Sequence, residues 1–391
     1  MELETQKFLR GGGTLDGLRA RNAIEVRSAN LCGHDVVSLN YHHLSPMDDP
    51  ISRECRALIL EVGTWDVVSR SFEKFFNAGE PNARETEALF DWPSAAWSEK
   101  MDGSLISVFE YRGQWHCATR SRADASGTIS GRSQTYRWLF ERSLEHWGAT
   151  WGTFTDKLDP QRFYSFELTG PDNPVVVQYA QPDVTWIGCW DRQTLEELDI
   201  AALPCIEDTG SWDAYNDPEM SGHFFYFAPA PTMYPKDIAD AQARLADAHW
   251  WENEGMVVRD LNFRRLKLKS PDYLRAAKAV GNAASDKQKL ALIVGGKLDD
   301  ALSHLPAWAK MRVEEIGDAL NELAKHLEGM YGAIKDLDTQ KEFAAYATKS
   351  PCYAQLFDMR KGLTAGQALD NTRLETLVAL LDKMVGFSID G

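Results

Sequence analysis

The chain has 391 residues, 44% of them hydrophobic and 26% charged, with 28 Gly and 16 Pro. This ordinary globular composition excludes collagen-like, low-complexity and wholly disordered chains. Its 58 acidic against 42 basic residues give a formal charge of −16, which counts against a general nucleic-acid coat, because phosphate binding rests on Lys and Arg.

No apolar run approaches the roughly 18 residues needed to cross a bilayer. The first seven residues lack the basic region and apolar stretch of a secretory leader, so a soluble cytoplasmic protein, with no membrane partner, is expected. Six cysteines without Cys-x-x-Cys spacing, and nine histidines without His-Glu-x-x-His, argue against a zinc ribbon, a redox motif or a disulfide scaffold. They read as scattered buried thiols.

In chain order, the first predicted strand is 56–62, ending at Gly63. Residues 105–111 and 114–120 form a hairpin candidate around Arg112-Gly113. Further strands are predicted at 163–168, 175–179, 184–190 and 256–259, with a helix over 238–249. After Pro271 the strand signal fades. Residues 309–337 and 374–385 are rich in Ala, Leu, Glu, Lys and Met, with apolar residues three and four apart. The expected fold class is therefore α+β followed by a small all-α domain, divided as 1–272 and 273–391. There are no internal repeats. Between Arg259 and Lys269 five basic residues (Arg259, Arg264, Arg265, Lys267, Lys269) stand against Asp260 alone, a local basic stretch in an acidic chain.

The sharpest feature is Glu99-Lys100-Met101-Asp102-Gly103-Ser104, directly before the 105–111 strand. A lysine at a strand-to-turn junction followed by small residues can bring its amine to a phosphate held by loop N–H groups. Asp-Gly is also a common turn pair, so the company it keeps matters. Arg56 heads a strand, and Lys74 and Asn77 sit among Phe72, Phe75 and Phe76. Then follow Phe166-Glu167-Leu-Thr-Gly-Pro, Glu254-Gly-Met-Val-Val-Arg and Lys267-Leu-Lys269. Singly, each has a plainer reading: Glu167 as a solvated strand residue, Lys267 and Lys269 as one outward strand face, and Lys74 as a lysine snorkelling from an aromatic core.

This ordered set resembles the covalent nucleotidyltransferase superfamily of polynucleotide ligases and mRNA-capping enzymes. Within it, the Arg-Glu-Cys-Arg, Phe-Glu-Lys-Phe-Phe-Asn and Phe-Glu-Leu-Thr-Gly-Pro-Asp-Asn stretches resemble the phage-type RNA ligase 1 family, which repairs broken tRNA. The resemblance covers residues 30–275. It implies a nucleotidyltransferase (adenylylation) domain of ATP-grasp-like antiparallel sheets, in which Lys100 takes AMP from ATP. It also implies nucleotide contacts from Tyr41, Arg56, Lys74, Glu99, Glu167, Lys267 and Lys269, with Glu167 on a ribose hydroxyl.

Free lysine titrates near 10.4, so the reaction needs an amine freed of its proton, and Lys74, Lys267 and Lys269 could supply the field that disfavours the ammonium. Mg²⁺ or Mn²⁺ would suit the carboxylates of Glu254 and Asp102. The resemblance adds Asp299, in an acidic pair with Asp300 that a helix dipole equally explains, and Tyr273 for sealing, which could instead anchor the domain junction. Ala57 stands where the family often has Gly, which bears on any close backbone approach there.

DNA ligases and capping enzymes follow the Lys-x-Lys motif with a β-rich OB-fold barrel. Here the last 120 residues look helical and carry 15 basic and 17 acidic residues. That favours an RNA ligase whose helical domain recognises a structured RNA. The expected substrate is RNA with 5′-phosphate and 3′-hydroxyl ends, such as nicked tRNA, and the expected state a monomer. The alternatives are a DNA ligase or capping-type guanylyltransferase, and a non-catalytic RNA-binding protein of the same fold.

Overall fold

The computed structural model describes all residues except 1, 43, 130–132, 174, 209–224, 228, 283–284, 295–304, 306 and 390–391. The chain divides into two compact units, Met1–Tyr273 and Leu274–Gly391.

The first unit is built on three main sheets. A four-stranded antiparallel sheet runs in order β1 (Ile24–Leu31), β2 (His34–Tyr41), β3 (Leu58–Glu61) and β4 (Val67–Ser69). After β5 (Phe76–Asn77) and β6 (Ala96–Lys100) come β7 (Ser104–Tyr111), β8 (Gln114–Thr119), β9 (Arg162–Thr169), β10 (Asp183–Asp191) and β11 (Glu197–Leu198). The last five form an antiparallel sheet ordered β11-β10-β9-β7-β8. A short pair, β12 (Ile206–Asp208) and β13 (Phe225–Phe227), stands apart. The third sheet joins β14 (Thr232–Met233), β6, β15 (Gly255–Arg259), β16 (Arg265–Lys269) and β5 in that order, with only the β16–β5 pair parallel.

The central sheet is apolar on both faces because both are covered. Phe109, Phe163 and Trp190 pack with Leu39, Leu58 and Leu60 of the first sheet. On the opposite face Ile106, Phe166 and Trp186 pack with Phe140 and Phe154, from the helices Tyr136–His146 and Trp151–Thr155. The third sheet alternates instead over most of its length. Trp97, Met256, Val258, Leu266 and Leu268 are buried with Ala241 and Leu245 of the helix Ile238–Ala246, and Ser98, Val257, Arg259, Arg265, Lys267 and Lys269 between them are half-buried. A period of two thus turns one sheet face into core and frees the other for polar side chains.

The second unit is helical among its described residues. The long helix Ala307–Ile334 places Ile316, Leu320, Leu323 and Leu327 against Phe343, Leu356, Leu369 and Leu377 of the shorter helices that follow. Stretches 309–337 and 374–385 are helical over 307–334 and 374–385, the last five residues in a wider π turn.

Two expectations fail. Residues 175–179 form no strand, because the N–H groups of Val176 and Val177 bond to a side-chain carboxylate instead of a neighbouring strand. Of the six free thiols, Cys32 and Cys205 are exposed rather than buried. Among the described residues no helix is long and apolar enough to cross a membrane.

Gly255 begins β15 where a Cβ would collide with the carbonyl oxygen of Leu268. Gly255→Ala is therefore expected to destabilise the first unit by about 1–3 kcal/mol through overpacking. Urea unfolding followed by tryptophan fluorescence checks this, since twelve of the thirteen tryptophans precede residue 274. In the same chain Gly329→Ala, exposed within the long helix with open space at the Cβ position, should stabilise the helical unit by about 1 kcal/mol.

Candidate active site

The free face of the third sheet forms one wall of a cleft of about 820 Å³ within the first unit. Strand register orders its residues in rows. Lys100 of β6 lies beside Gly255 of β15, which lies beside Lys269 of β16. Next come Ser98, Val257 and Lys267, then Ala96, Arg259 and Arg265. The facing wall carries Glu167, Glu197, Asp199 and Ile200, and Tyr41, Arg56, Lys74 and Arg120 also line the cleft.

Two strands end at Lys100 and Lys269, and Glu254 immediately precedes the strand between them. Lys100 Nζ lies 2.6 Å from Glu254 Oε2, and Lys269 Nζ 2.7 Å from Glu254 Oε1. Glu254 is 2% exposed, so each of its oxygens is neutralised where water hardly reaches. Around this triad the cations cluster. Lys267 has its amine pushed down to about 7, first by burial and then by Lys74, Lys269 and Lys100. Lys74 Nζ donates to the Tyr41 hydroxyl at 3.2 Å and sits over the Tyr41 ring. The Arg56 guanidinium lies over Phe72 and Phe75, with one terminal nitrogen buried and unpartnered. Burial raises the Tyr41 phenol, but Lys74, Arg56 and Arg120 outweigh it and leave the group lowered.

Glu167 accepts a hydrogen bond from Gly103 N at 3.1 Å and opens partly to the cleft. Burial drives its carboxyl up to about 7, against the pull of Lys100 and Arg56. Glu99 also lines the cleft, its carboxyl raised by burial. Gly103 is required locally, because a Cβ there would strike the Leu168 carbonyl.

Asp102, expected as a metal ligand, lies beneath the turn between the cleft-lining residues Met101 and Gly103. It is 3% exposed; Oδ2 accepts the N–H groups of Val176 and Val177, each at 2.8 Å, and Oδ1 accepts the Tyr273 hydroxyl at 2.7 Å. Both oxygens are engaged, and the residue braces the turn after Lys100. Tyr273, 3% exposed, is the other half of this brace and its hydroxyl is spent on it. Asp299 lies outside the described residues. Ala57 takes a left-handed φ of 58°, a conformation that accounts for glycine at this place.

Sequence reasoning missed Arg120, Glu197 and Asp199. The hairpin register could have found the first: Thr119 pairs with Ile106, so residue 120 returns beside the turn that follows Lys100. The two acids meet Arg265 and Arg259 only through the tertiary fold.

A model of the RNA ligase family, of the phage ligase 1 type, matches residues 54–273, more than half of the chain. The chain belongs to this family. It is 30% identical over 321 residues to the "Putative bifunctional polynucleotide kinase/RNA ligase" of Autographa californica nuclear polyhedrosis virus, an alignment covering 78% of this chain and 42% of the viral protein. It is 28% identical over 190 residues to the RNA ligase of Rhodothermus phage RM378, covering 39% of this chain and 41% of the phage protein. The chain thus spans about two fifths of the length of these two relatives. Among solved structures, an archaeal ATP-dependent RNA ligase (form 2) overlays with a TM-score of 0.47 at 14% identity, over 83% of each chain.

The shifted groups in this RNA ligase family cleft make its stability depend on pH with a definite sign. Lys267 lies below its ordinary 10.5 in the folded chain, so the unfolded chain holds more protons between about 7 and 10.5 and stability rises with pH there. Glu167 lies above its ordinary 4.5, so the folded chain holds more protons between about 4.5 and 7 and stability falls with rising pH there. Lys267→Met should therefore raise the thermal midpoint more at pH 6 than at pH 10. Glu167→Gln should raise it more at pH 8.5 than at pH 5. Calorimetric scans across this range check both signs.

Proposed function

We propose that the protein is an ATP-dependent RNA ligase that joins a 5′-phosphate to a 3′-hydroxyl through a lysyl-AMP intermediate on Lys100. The observation that carries this reading is the Lys100–Glu254–Lys269 triad at the end of a cation-lined cleft. A polyphosphate is the ligand such a cleft suits, and an amine bonded to a buried carboxylate has a proton acceptor already in place.

Three transfers follow. Lys100 Nζ passes a proton to Glu254 and attacks the α-phosphorus; the P–N bond forms, the bond to the bridging oxygen breaks, and pyrophosphate leaves. Lys74, Lys267, Arg56 and Arg120 offset its charge. An oxygen of the RNA 5′-phosphate then attacks the phosphorus of the adduct, the P–N bond breaks, and Lys100 regains its proton. Finally the RNA 3′-hydroxyl gives up its proton to solvent and attacks the 5′-phosphorus; the phosphodiester P–O bond forms, the bond to the bridging oxygen breaks, and AMP departs. Glu167 holds the ribose.

Among the described residues no three His, Cys, Asp or Glu side chains converge on a cation site. A Mg²⁺ or Mn²⁺ ion would be held largely by phosphate and water oxygens, with Glu254 the carboxylate at the Lys100 end. When bound it supplies further charge neutralisation on the phosphates. In this reading the helical unit recognises the RNA, with nicked tRNA as the candidate substrate; its helical rather than barrel-like build supports RNA over DNA.

Incubation with ATP labelled on the α-phosphate should leave label on the protein that survives alkali and is released by acid. Lys100→Ala should abolish it, and Glu254→Gln should slow its formation by about 100-fold or more. Labelling of Lys100→Ala to the parental level contradicts the mechanism. Label from GTP alone, or sealing of nicked DNA in preference to RNA, would favour the capping or DNA ligase alternatives.

Nucleotide binding should also take up protons at pH 8, because phosphates beside Lys267 raise an amine that stands at about 7 in the free cleft. Calorimetry in buffers of different ionisation enthalpy reads that uptake directly.

A further inference from the structure

At the end of the cleft away from Lys100, the two walls are tied by ion pairs. Arg259 Nη2 donates to Asp199 Oδ1 at 2.9 Å. Arg265 grips Glu197 with both terminal nitrogens, Nη1 lying 2.7 Å from Oε2 and Nη2 bonding Oε1. The arginines stand on β15 and β16 of the third sheet. Glu197 lies on β11 of the central sheet, and Asp199 opens the turn that follows it. At the opposite end the same two sheets are joined covalently, by the short turn from Lys100 into β7.

The distance between these ends is set by register. Arg259 pairs with Ala96 and Gly255 with Lys100, so four residues, about 13 Å of strand, separate the reactive amine from the ion pairs. The interval bears Ser98 and Val257, with Lys267 at the β16 side of the same row, and Ile200, Pro229 and Ala230 also line the cleft. These small and apolar surfaces suit a flat ring, and the cations suit phosphates. A second cavity of about 600 Å³ adjoins the first. Phe72, Lys74, Phe75, Glu197 and Arg265 line both, so the Arg265–Glu197 pair is part of the partition between them. That pair is itself well buried, its side chains 11% and 12% exposed.

We infer that the Arg259–Asp199 and Arg265–Glu197 pairs form the end wall of the nucleotide site, holding the two sheets at a separation that accepts a purine nucleotide and rejects one enlarged at its base. The inference rests on the proposed ATP-binding reading of the cleft. The four residues are positioning residues. They act on the width and length of the site and take no part in the transfer steps.

The test measures binding of ATP and of N6-benzyl-ATP by titration calorimetry in the full-length chain carrying Lys100→Ala, so that nucleotide is not consumed. Neutralising each pair together (Arg259→Gln with Asp199→Asn, Arg265→Gln with Glu197→Gln) avoids leaving a buried charge unmatched. The intact wall should favour ATP by at least about tenfold, and the neutralised wall should bring the two affinities within about threefold of each other. A charge-swapped chain, Arg259→Asp with Asp199→Arg, keeps a pair at the more exposed position. It should hold the parental ratio where Arg259→Asp alone does not, which keeps the inference testable if the neutralised chain fails to fold. ATP binding with an unchanged ratio in the neutralised chain, or an equal ratio in the swapped and single variants, overturns the end wall alone. No ATP binding with the wall intact overturns the reading of the cleft and the inference with it.

Discussion

Glu254 is almost wholly buried, and a carboxylate in that position is tolerable only when its charge is matched and its oxygens are bonded. Lys100 and Lys269 do both, each from the end of a strand that flanks the one Glu254 precedes. The pairing ties register to chemistry: a slip of one residue in β6 or β16 would turn the lysine toward the apolar core and leave the carboxylate unmatched. The apolar face packed on the helix Ile238–Ala246 resists that slip. Local packing and the geometry of the triad therefore enforce each other.

The turn after Lys100 is fixed just as firmly. Asp102 gathers two backbone N–H groups and the Tyr273 hydroxyl, and Gly103 lies against the Leu168 carbonyl where no side chain fits. The turn thus links β6 in one sheet to β7 in the next with little freedom. Lys100 stands at the point where the two sheets meet covalently, and the cleft opens away from it between them. The cations lie along that opening, and Lys267 is the amine that burial and the neighbouring lysines push down to about 7.

Much of this was legible in the sequence. Alternation gave away the hairpin at 105–120 and the polar face of β16, while the ordered motifs singled out Lys100, Glu167, Glu254, Lys267 and Lys269, which the fold brings to one cleft or its floor. The roles of Asp102 and Tyr273 were not legible, because they depend on a loop at 176–177 that composition reads as a strand. The same holds for the field around Lys100: a tally of nearby lysines suggests a purely cationic surrounding, and only the fold sets a carboxylate at hydrogen-bond distance. Glu197 and Asp199 carry no local signal at all, since their partners lie about 60 residues away in another sheet.

Geometry, and not simple abundance of free amine, selects the nucleophile. Lys267 has the amine driven to about 7, whereas Lys100 has the acceptor carboxylate and the position at the sheet junction. Tandem mass spectrometry of the chain after incubation with ATP and Mg²⁺ distinguishes the two. A single AMP on the peptide bearing Lys100 is expected; AMP on Lys267 or Lys269, with Lys100 unmodified, would contradict selection by geometry.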